Sequence, residues 1–247
     1  MKVSEERISA GKEFEPRIER GLADATDSFF SVESPLGTLY VAVGEKGIKY
    51  STPAPASDEE FVRHYGETFG RLVVPAEDTE ELSEKISAAF AGERVEIPLD
   101  LSDRTPFQRR VMEVVSGIPR GEVRPYSWVA KEAGAARASR AVGSVMAKNP
   151  MPLILPCHRV IRNDGGTGNY GYDPERKVRL LKDEGVPVEE IAKAPYVATP
   201  ATGVFCHATC RNAKRTKPEN RRPFRSASAA VDAGFRPCEV CRPVVAA

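Results

Sequence analysis

PYSWVAKEAGAARASRAVGSVMAKNP, residues 125–150, reads as two short helices around a tight turn. Gly134 stops the first helix and Asn149–Pro150 stops the second, because glycine takes up the left-handed conformation that ends a helix and proline cannot continue one. Two short helices joined by a glycine-containing turn make a helix-turn-helix pattern. The second carries Ala141, Gly143 and Ser144 beside Arg140. Small side chains let a helix backbone come close to a groove while the arginine reaches into it. Upstream, Thr105–Pro106 reads as a helix start, with Phe107, Val111, Val114 and Val115 forming one apolar face through Ser116. IPRGEVRP then breaks the chain before the pair of helices.

Downstream lies LILPCHRVIRNDG, residues 153–165. Leu153, Ile154, Leu155 and Val160 flank a thiol, an imidazole and a guanidinium. A free thiol is a poor nucleophile until its proton is removed or the thiolate is stabilised, and a histidine can do either. In an extended segment, however, the side chains of Cys157 and His158 point apart. They cooperate only if the chain turns at Pro156–Cys157 or a water links them. A buried structural cysteine is the plain alternative.

The first hundred residues read as scaffold. SFFSVES and GTLYVAV alternate in strand fashion around a Pro-Leu-Gly turn, GIKYS follows as a third strand, and a charged N-terminal helix precedes them. Two helical stretches come next, around Asp58–Phe69 and Thr79–Phe90. His64, in a polar helical stretch, reads as a bystander.

The tail is different again. Cys206-x3-Cys210 and Cys238-x2-Cys241, separated by 27 residues, form the ligand pattern of a tetrahedral four-thiolate zinc site. A unit of about 50 residues buries little core, so bound zinc supplies most of its folding energy.

The chain has 247 residues and a formal net charge of +1, which hides a strong polarity. Residues 1–100 carry 11 Lys/Arg against 21 Asp/Glu, and residues 101–247 carry 25 against 14. A basic half favours an anionic partner, and nucleic acid is the commonest large one. There is no apolar run of the roughly 20 residues needed to cross a bilayer, and the charged N-terminus does not read as a secretory signal. The expected setting is a reducing cytoplasm, where five cysteines point to metal or catalysis rather than disulfides.

TPFQRRVMEVVSGIPRGEV, PYSWVA, SRAVGSVMAKNP, LILPCHRV, GNYGY and KVRLLKDEG follow in the order and at the spacing of the O6-alkylguanine-DNA alkyltransferases. The chain closely resembles that family from Thr105 to Gly185, and SPLGTLYVAV resembles the family's less distinctive N-terminal domain. The resemblance implies a mixed α/β (α+β) chain. A ribonuclease-H-like three-layer domain spans 1–100 and a helical, winged-helix-like alkyltransferase domain spans 101–185. A linker follows at 186–194, then a small four-cysteine zinc domain at 195–247. The implied activity is S-methyltransfer from methylated DNA to a protein cysteine, without a cofactor and once per molecule. The implied substrate is double-stranded DNA carrying O6-alkylguanine, met by a monomer.

Position by position, the resemblance makes Cys157 the alkyl acceptor, His158 its water-linked base and Glu184 the group that orients His158. Asn149 braces the active-site turn, and Tyr126 protonates the departing guanine at N3. Arg140 fills the gap left by the flipped base, with Ala141, Gly143, Ser144 and Arg159 also at the DNA. Val160 and Tyr170 line the guanine pocket. Met112, Arg179 and Pro125 depart from the family's usual residues without touching the nucleophile. A Cys–His hydrolase and a lesion-binding protein without transfer activity are the competing readings. Cys157 argues against the second.

The tail resembles the metal-binding, methylphosphotriester-repair domain of the Ada protein through CxxxC, KPEN and AGFRPCxxC. That implies a metal site of Cys206, Cys210, Cys238 and Cys241, with Cys206 also a possible second methyl acceptor. His207–Ala208 replace the Arg-Pro that usually follows that cysteine.

Overall fold

The structure is a computed structural model describing residues 26–53, 55–168 and 173–245. The expected N-terminal helix and Tyr170 lie outside the described residues. The chain divides into two compact units between Asp100 and Leu101.

In the first unit, β1 (Thr26–Ser34) pairs antiparallel with β2 (Gly37–Gly44), and β2 with β3 (Gly47–Thr52). Helix α1 (Asp58–Phe69) starts at Ser57, whose hydroxyl accepts the Glu60 N–H, and ends where Gly70 turns left-handed. A fourth strand, β4 (Leu72–Pro75), adds parallel to β1. Four residues without alternation gave it no sequence signature, and only its partner makes it a strand. Helix α2 (Glu80–Ala91) follows. The alternating residues of the strands put Phe29, Tyr40 and Tyr50 with Phe61 and Tyr65 of α1 in one core. Ring centroids of Phe29–Phe61 and Tyr40–Phe61 lie 5.0 and 5.1 Å apart. Asp27 is buried there, held by the Tyr65 hydroxyl and the Arg71 and Lys49 side chains. His64 lies 3.1 Å from the Tyr50 hydroxyl, on the scaffold side where the sequence reads it as a bystander.

The second unit begins with α3 (Pro106–Ser116), started by a reciprocal cap in which Thr105 and Gln108 satisfy each other's backbone N–H. A short strand, β5 (Arg124–Pro125), leads directly into α4 (Tyr126–Glu132). The chain turns through Gly134, at φ 77°, into α5 (Ser139–Ala147). The loop after α5 ends in a tight 3-10 turn, Cys157–Arg159, and then β6 (Val160–Ile161), which lies parallel to β5. Helix α6 (Pro174–Asp183) follows. The stretch expected as a connection carries α7 (Val188–Lys193). Ile191 of α7 is buried with Val123, Ile161, Leu181 and Val186, and Ala208 packs on the same cluster.

The tail forms a small sheet in the order β10-β8-β7-β9, from β7 (Tyr196–Thr199), β8 (Val204–His207), β9 (Arg222–Phe224) and β10 (Arg236–Pro237). Helices α8 (Arg211–Lys214) and α9 (Ala227–Asp232) complete it. One small apolar cluster holds Tyr196, Ala198, Phe205, Ala227 and Ala230, with Phe224 and Phe235 at its edge, and a second gathers Ala213, Val197 and Val204 around the four cysteines. So small a core leaves much of the tail's order to something else.

Candidate functional site

Cys157 sits where the chain turns sharply. Pro156, with φ −79° and ψ 59°, bends the backbone so that the Cys157 N–H reaches the Leu155 carbonyl at 2.8 Å. This turn lifts the constraint that an extended chain places on adjacent side chains. Asn149 braces it: Oδ1 accepts the Met151 N–H at 3.0 Å, and Nδ2 donates to the Leu155 carbonyl at 3.1 Å and to Cys157 Sγ at 3.0 Å. An N–H directed at sulfur favours the thiolate over the thiol.

His158 is buried, with Nε2 2.9 Å from Glu184 Oε1. Its Nδ1 has no protein partner among the described residues and is sealed from solvent. Burial holds the imidazole pKa below its usual value, against the upward pull of Glu184. Glu184 caps α6. Burial alone would raise its pKa, but hydrogen bonds from His158 and Arg159 hold the carboxyl at about 2. Arg159, expected at the DNA, is turned inward instead. Its guanidinium grips both Glu184 oxygens and donates to the Ile118 carbonyl at 2.7 Å. A buried carboxylate needs such a counter-charge.

Tyr126 opens α4 and is half-buried. Burial, and then the sulfur of Cys157 as an anion, push its hydroxyl pKa up. Lys177 of α6 escaped the sequence reading, yet it is fully buried beside this group. It donates to the Val160 carbonyl at 2.6 Å and sits 6.0 Å from the Tyr126 ring centroid. Burial brings its pKa down to about 8. The Val160 side chain is buried and its carbonyl is committed to Lys177. On α5, Val142, Val145 and Met146 face the core, leaving Arg140, Ala141 and Ser144 exposed, with Gly143 half-exposed between them. A Cβ on Gly143 would meet nothing.

In the tail, Cys206, Cys210, Cys238 and Cys241 are unpaired and buried, and their sulfurs all lie within 4.8 Å of one another. Zinc bonds of about 2.3 Å set thiolates at tetrahedron edges of about 3.8 Å, so the donor set fits. Crowding adds a second sign: hydrogen bonds from Cys206 and Cys241 push the Cys210 thiol well below its usual range. The hydrogen bonds and negative charge around Cys206 push its thiol far above the usual range. Only a cation lets all four ionise together. The cluster is a metal-binding site.

Residues 106–186 match the family model for the 6-O-methylguanine DNA methyltransferase DNA-binding domain, and residues 190–244 match the metal-binding domain of Ada. The methylated-DNA–protein-cysteine methyltransferase of Methanothermobacter thermautotrophicus is 48% identical over 91 residues, 37% of this chain and 51% of that protein. The constitutive methyltransferase of that name from Bacillus subtilis is 35% identical over 164 residues, 66% of this chain and 98% of that one. The chain belongs to the methylated-DNA–protein-cysteine methyltransferases. The crystal structure of Mycobacterium tuberculosis OGT in complex with DNA aligns with a TM-score of 0.51 at 32% identity, over 64% of this chain and 92% of that one. This methyltransferase therefore acts in DNA repair, moving alkyl groups from DNA to a cysteine of its own, and DNA is its partner. Its fold is the expected α/β mixture. Among the described residues no helix is long and apolar enough to cross a membrane.

Proposed function

We propose that Cys157 is the acceptor, that the lesion is O6-alkylguanine in double-stranded DNA, and that each molecule reacts once, as a monomer in a reducing cytoplasm. The observation that carries this is the line of contacts Glu184–His158 behind a sulfur already hydrogen-bonded by Asn149. His158 Nδ1 takes the thiol proton through a bridging water, and Glu184 stabilises the imidazolium. The thiolate pair forms the S–C bond while the C–O6 bond breaks and leaves its electrons on the guanine. Tyr126 then gives its proton to guanine N3. The anion that raised its pKa disappears as the thioether forms, so the hydroxyl becomes a better acid at the moment of need. Extruding the nucleotide costs a few kcal/mol. Arg140 filling the vacated stack offsets part of that, with Ala141, Gly143 and Ser144 admitting the minor groove. The backbone around Val160 borders the guanine pocket.

The tail metal is zinc, held by Cys206, Cys210, Cys238 and Cys241, where it supplies charge neutralisation and folding energy. Alkyl transfer itself needs no cofactor. Cys206 serves as a second acceptor, taking methyl groups from DNA phosphotriesters. It is the most exposed of the four, at 6% against 0–3% for the others.

The test uses duplex DNA bearing labelled O6-methylguanine. Wild type plateaus at one methyl per molecule on the Cys157 peptide, and Cys157→Ala places none there while binding DNA within about threefold of wild type, since no phosphate contact is lost. Undiminished labelling in that variant, or multiple-turnover hydrolysis of a test ester by wild type, overturns the reading.

A further inference from the structure

Residues beside the four cysteines reach across to one short stretch of the alkyltransferase segment. Thr209, between Cys206 and Cys210, accepts the Val123 N–H at 2.9 Å. The Arg211 N–H, just past Cys210, donates to Glu122 Oε1 at 3.2 Å, and Glu122 also pairs with Arg124. The carbonyl of Cys241 accepts the Trp128 indole N–H at 2.8 Å. Lys214, one turn beyond Cys210, donates to the Gly121 carbonyl at 3.0 Å. Each tail partner is a member of the cluster or within four residues of one, so whatever gathers the four sulfurs also fixes these contacts.

The other side of the same stretch touches the proposed chemistry. The Gly121 N–H donates to Glu184 Oε2 at 3.0 Å, while Glu184 Oε1 meets His158. Gly121 has φ 73°, and a Cβ on it would lie 2.8 Å from the Glu184 carbonyl oxygen and 3.3 Å from Lys214 Nζ. The peptide is thus clamped between the two residues, with no space for a side chain. Three residues later, Arg124 of β5 pairs with Val160, immediately after the Cys157–Arg159 turn.

We propose that the metal-binding segment is a positioning part of the alkyl-transfer centre. With the four cysteines gathered, Lys214 and Thr209 hold Gly121 and Val123, and the Gly121 N–H holds Glu184 against His158. Lys214 is the positioning residue. This rests on Cys157 as acceptor with His158 and Glu184 as its relay. If Gly121 loosens, Glu184 is left to Arg159, which already contacts both its oxygens and draws the carboxylate off the imidazole ring. Without that carboxylate the imidazolium forms less readily, and Cys157 ionises only at higher pH.

The test compares metal-loaded full-length wild type, Lys214→Met and Lys214→Arg, together with chelated wild type. Single-turnover methyl transfer is followed against pH, with metal content and amide exchange measured in parallel. Trp128 is the only tryptophan in the chain, so its emission reports the junction directly. Lys214→Met should keep its metal and lose transfer about five- to twentyfold at pH 7, with most of the loss recovered at pH 9. Lys214→Arg, which keeps the donor, should restore the rate to within about twofold. Chelation should red-shift Trp128 emission and speed exchange of the Gly121 and Val123 amides at least about tenfold. An unchanged rate–pH profile in Lys214→Met, or unchanged exchange at those amides on chelation, overturns the proposal. If loaded wild type puts no methyl on Cys157, the reading of that cysteine falls, and the amide exchange alone then decides the coupling.

Discussion

Cys157 and Cys210 are both buried thiols in the same compact unit, yet their surroundings are opposites. Cys157 takes a hydrogen bond from the Asn149 amide, which is tied to backbone, and the next residue, His158, is tied to the Glu184 carboxylate. Around Cys210 the neighbours are three more sulfurs. The first arrangement exists before its sulfur reacts and survives its removal, because Asn149 and Glu184 are anchored elsewhere. The second holds together only when something neutralises it. Losing a sulfur should therefore be a chemical event at Cys157 and a structural one at Cys210.

The sharpest break of that contrast is a pair of serine variants followed by calorimetry and metal analysis. Cys210→Ser should lose most of its metal and about 3 kcal/mol or more, a fall of about 6–12 °C in the melting of the second unit. Cys157→Ser should stay within about 1 kcal/mol of wild type while losing transfer entirely. Equal thermal shifts in the two variants would mean that the cluster carries no more structural weight than the lone thiol.

A smaller effect separates the two sites by pH. Glu184→Gln should slow transfer about 10- to 100-fold at pH 7, with the deficit shrinking as pH rises and Cys157 loses its proton to solvent instead. The sign follows from His158, whose pKa burial lowers and Glu184 raises: removing the carboxylate moves it further down. Stability should respond in the other direction of pH. Glu184 at about 2 in the native state lies below its unfolded value of about 4.3, so it stabilises fully above that value. The contribution is lost as pH falls through 2. Wild type should accordingly lose more stability than Glu184→Gln between pH 5 and pH 2, and equal losses would show that the carboxylate is not held as the geometry implies.

What the sequence made legible divides along the same line. Helices with written ends, such as the one from Thr105–Pro106 and the pair around Gly134, stand where caps and breakers put them. The four tail cysteines announce their site by spacing alone. Groups whose role depends on burial stayed hidden. Lys177 looks like any charged residue of KVRLLKDEG, although Leu180, Leu181 and Glu184 lie at helical spacing from it, marking it on the buried stripe. Arg159 pairs inward because Glu184 needs a counter-charge, which no local pattern reveals. The Lys214–Gly121 contact joins residues 93 positions apart, and nothing in either segment announces the other.

The smallest expected effect tests whether the contrast is complete or whether one cluster sulfur also reacts. Were the proposed zinc held by all four ionised cysteines, the centre would carry a formal charge of −2, and its thiolates would stay nucleophilic at neutral pH. Attack by Cys206 on a methyl phosphotriester breaks the C–O bond, forms an S–methyl group and releases an ordinary phosphodiester anion, so no further reactant is needed. Cys238 is the less available sulfur: the Asn212 side chain donates toward it at 3.6 Å. Metal-loaded Cys157→Ala given duplex with methyl phosphotriesters should gain one methyl, on the Cys206 peptide by mass spectrometry. DNA affinity should then rise about two- to fivefold at low salt, because the centre has lost one negative charge near a strongly basic segment, and the gain should fade as salt is added. A methyl on Cys238 would transfer the role to the other pair. No methyl at all, with metal present, would leave the cluster purely structural and make the difference between the two sulfur sites absolute.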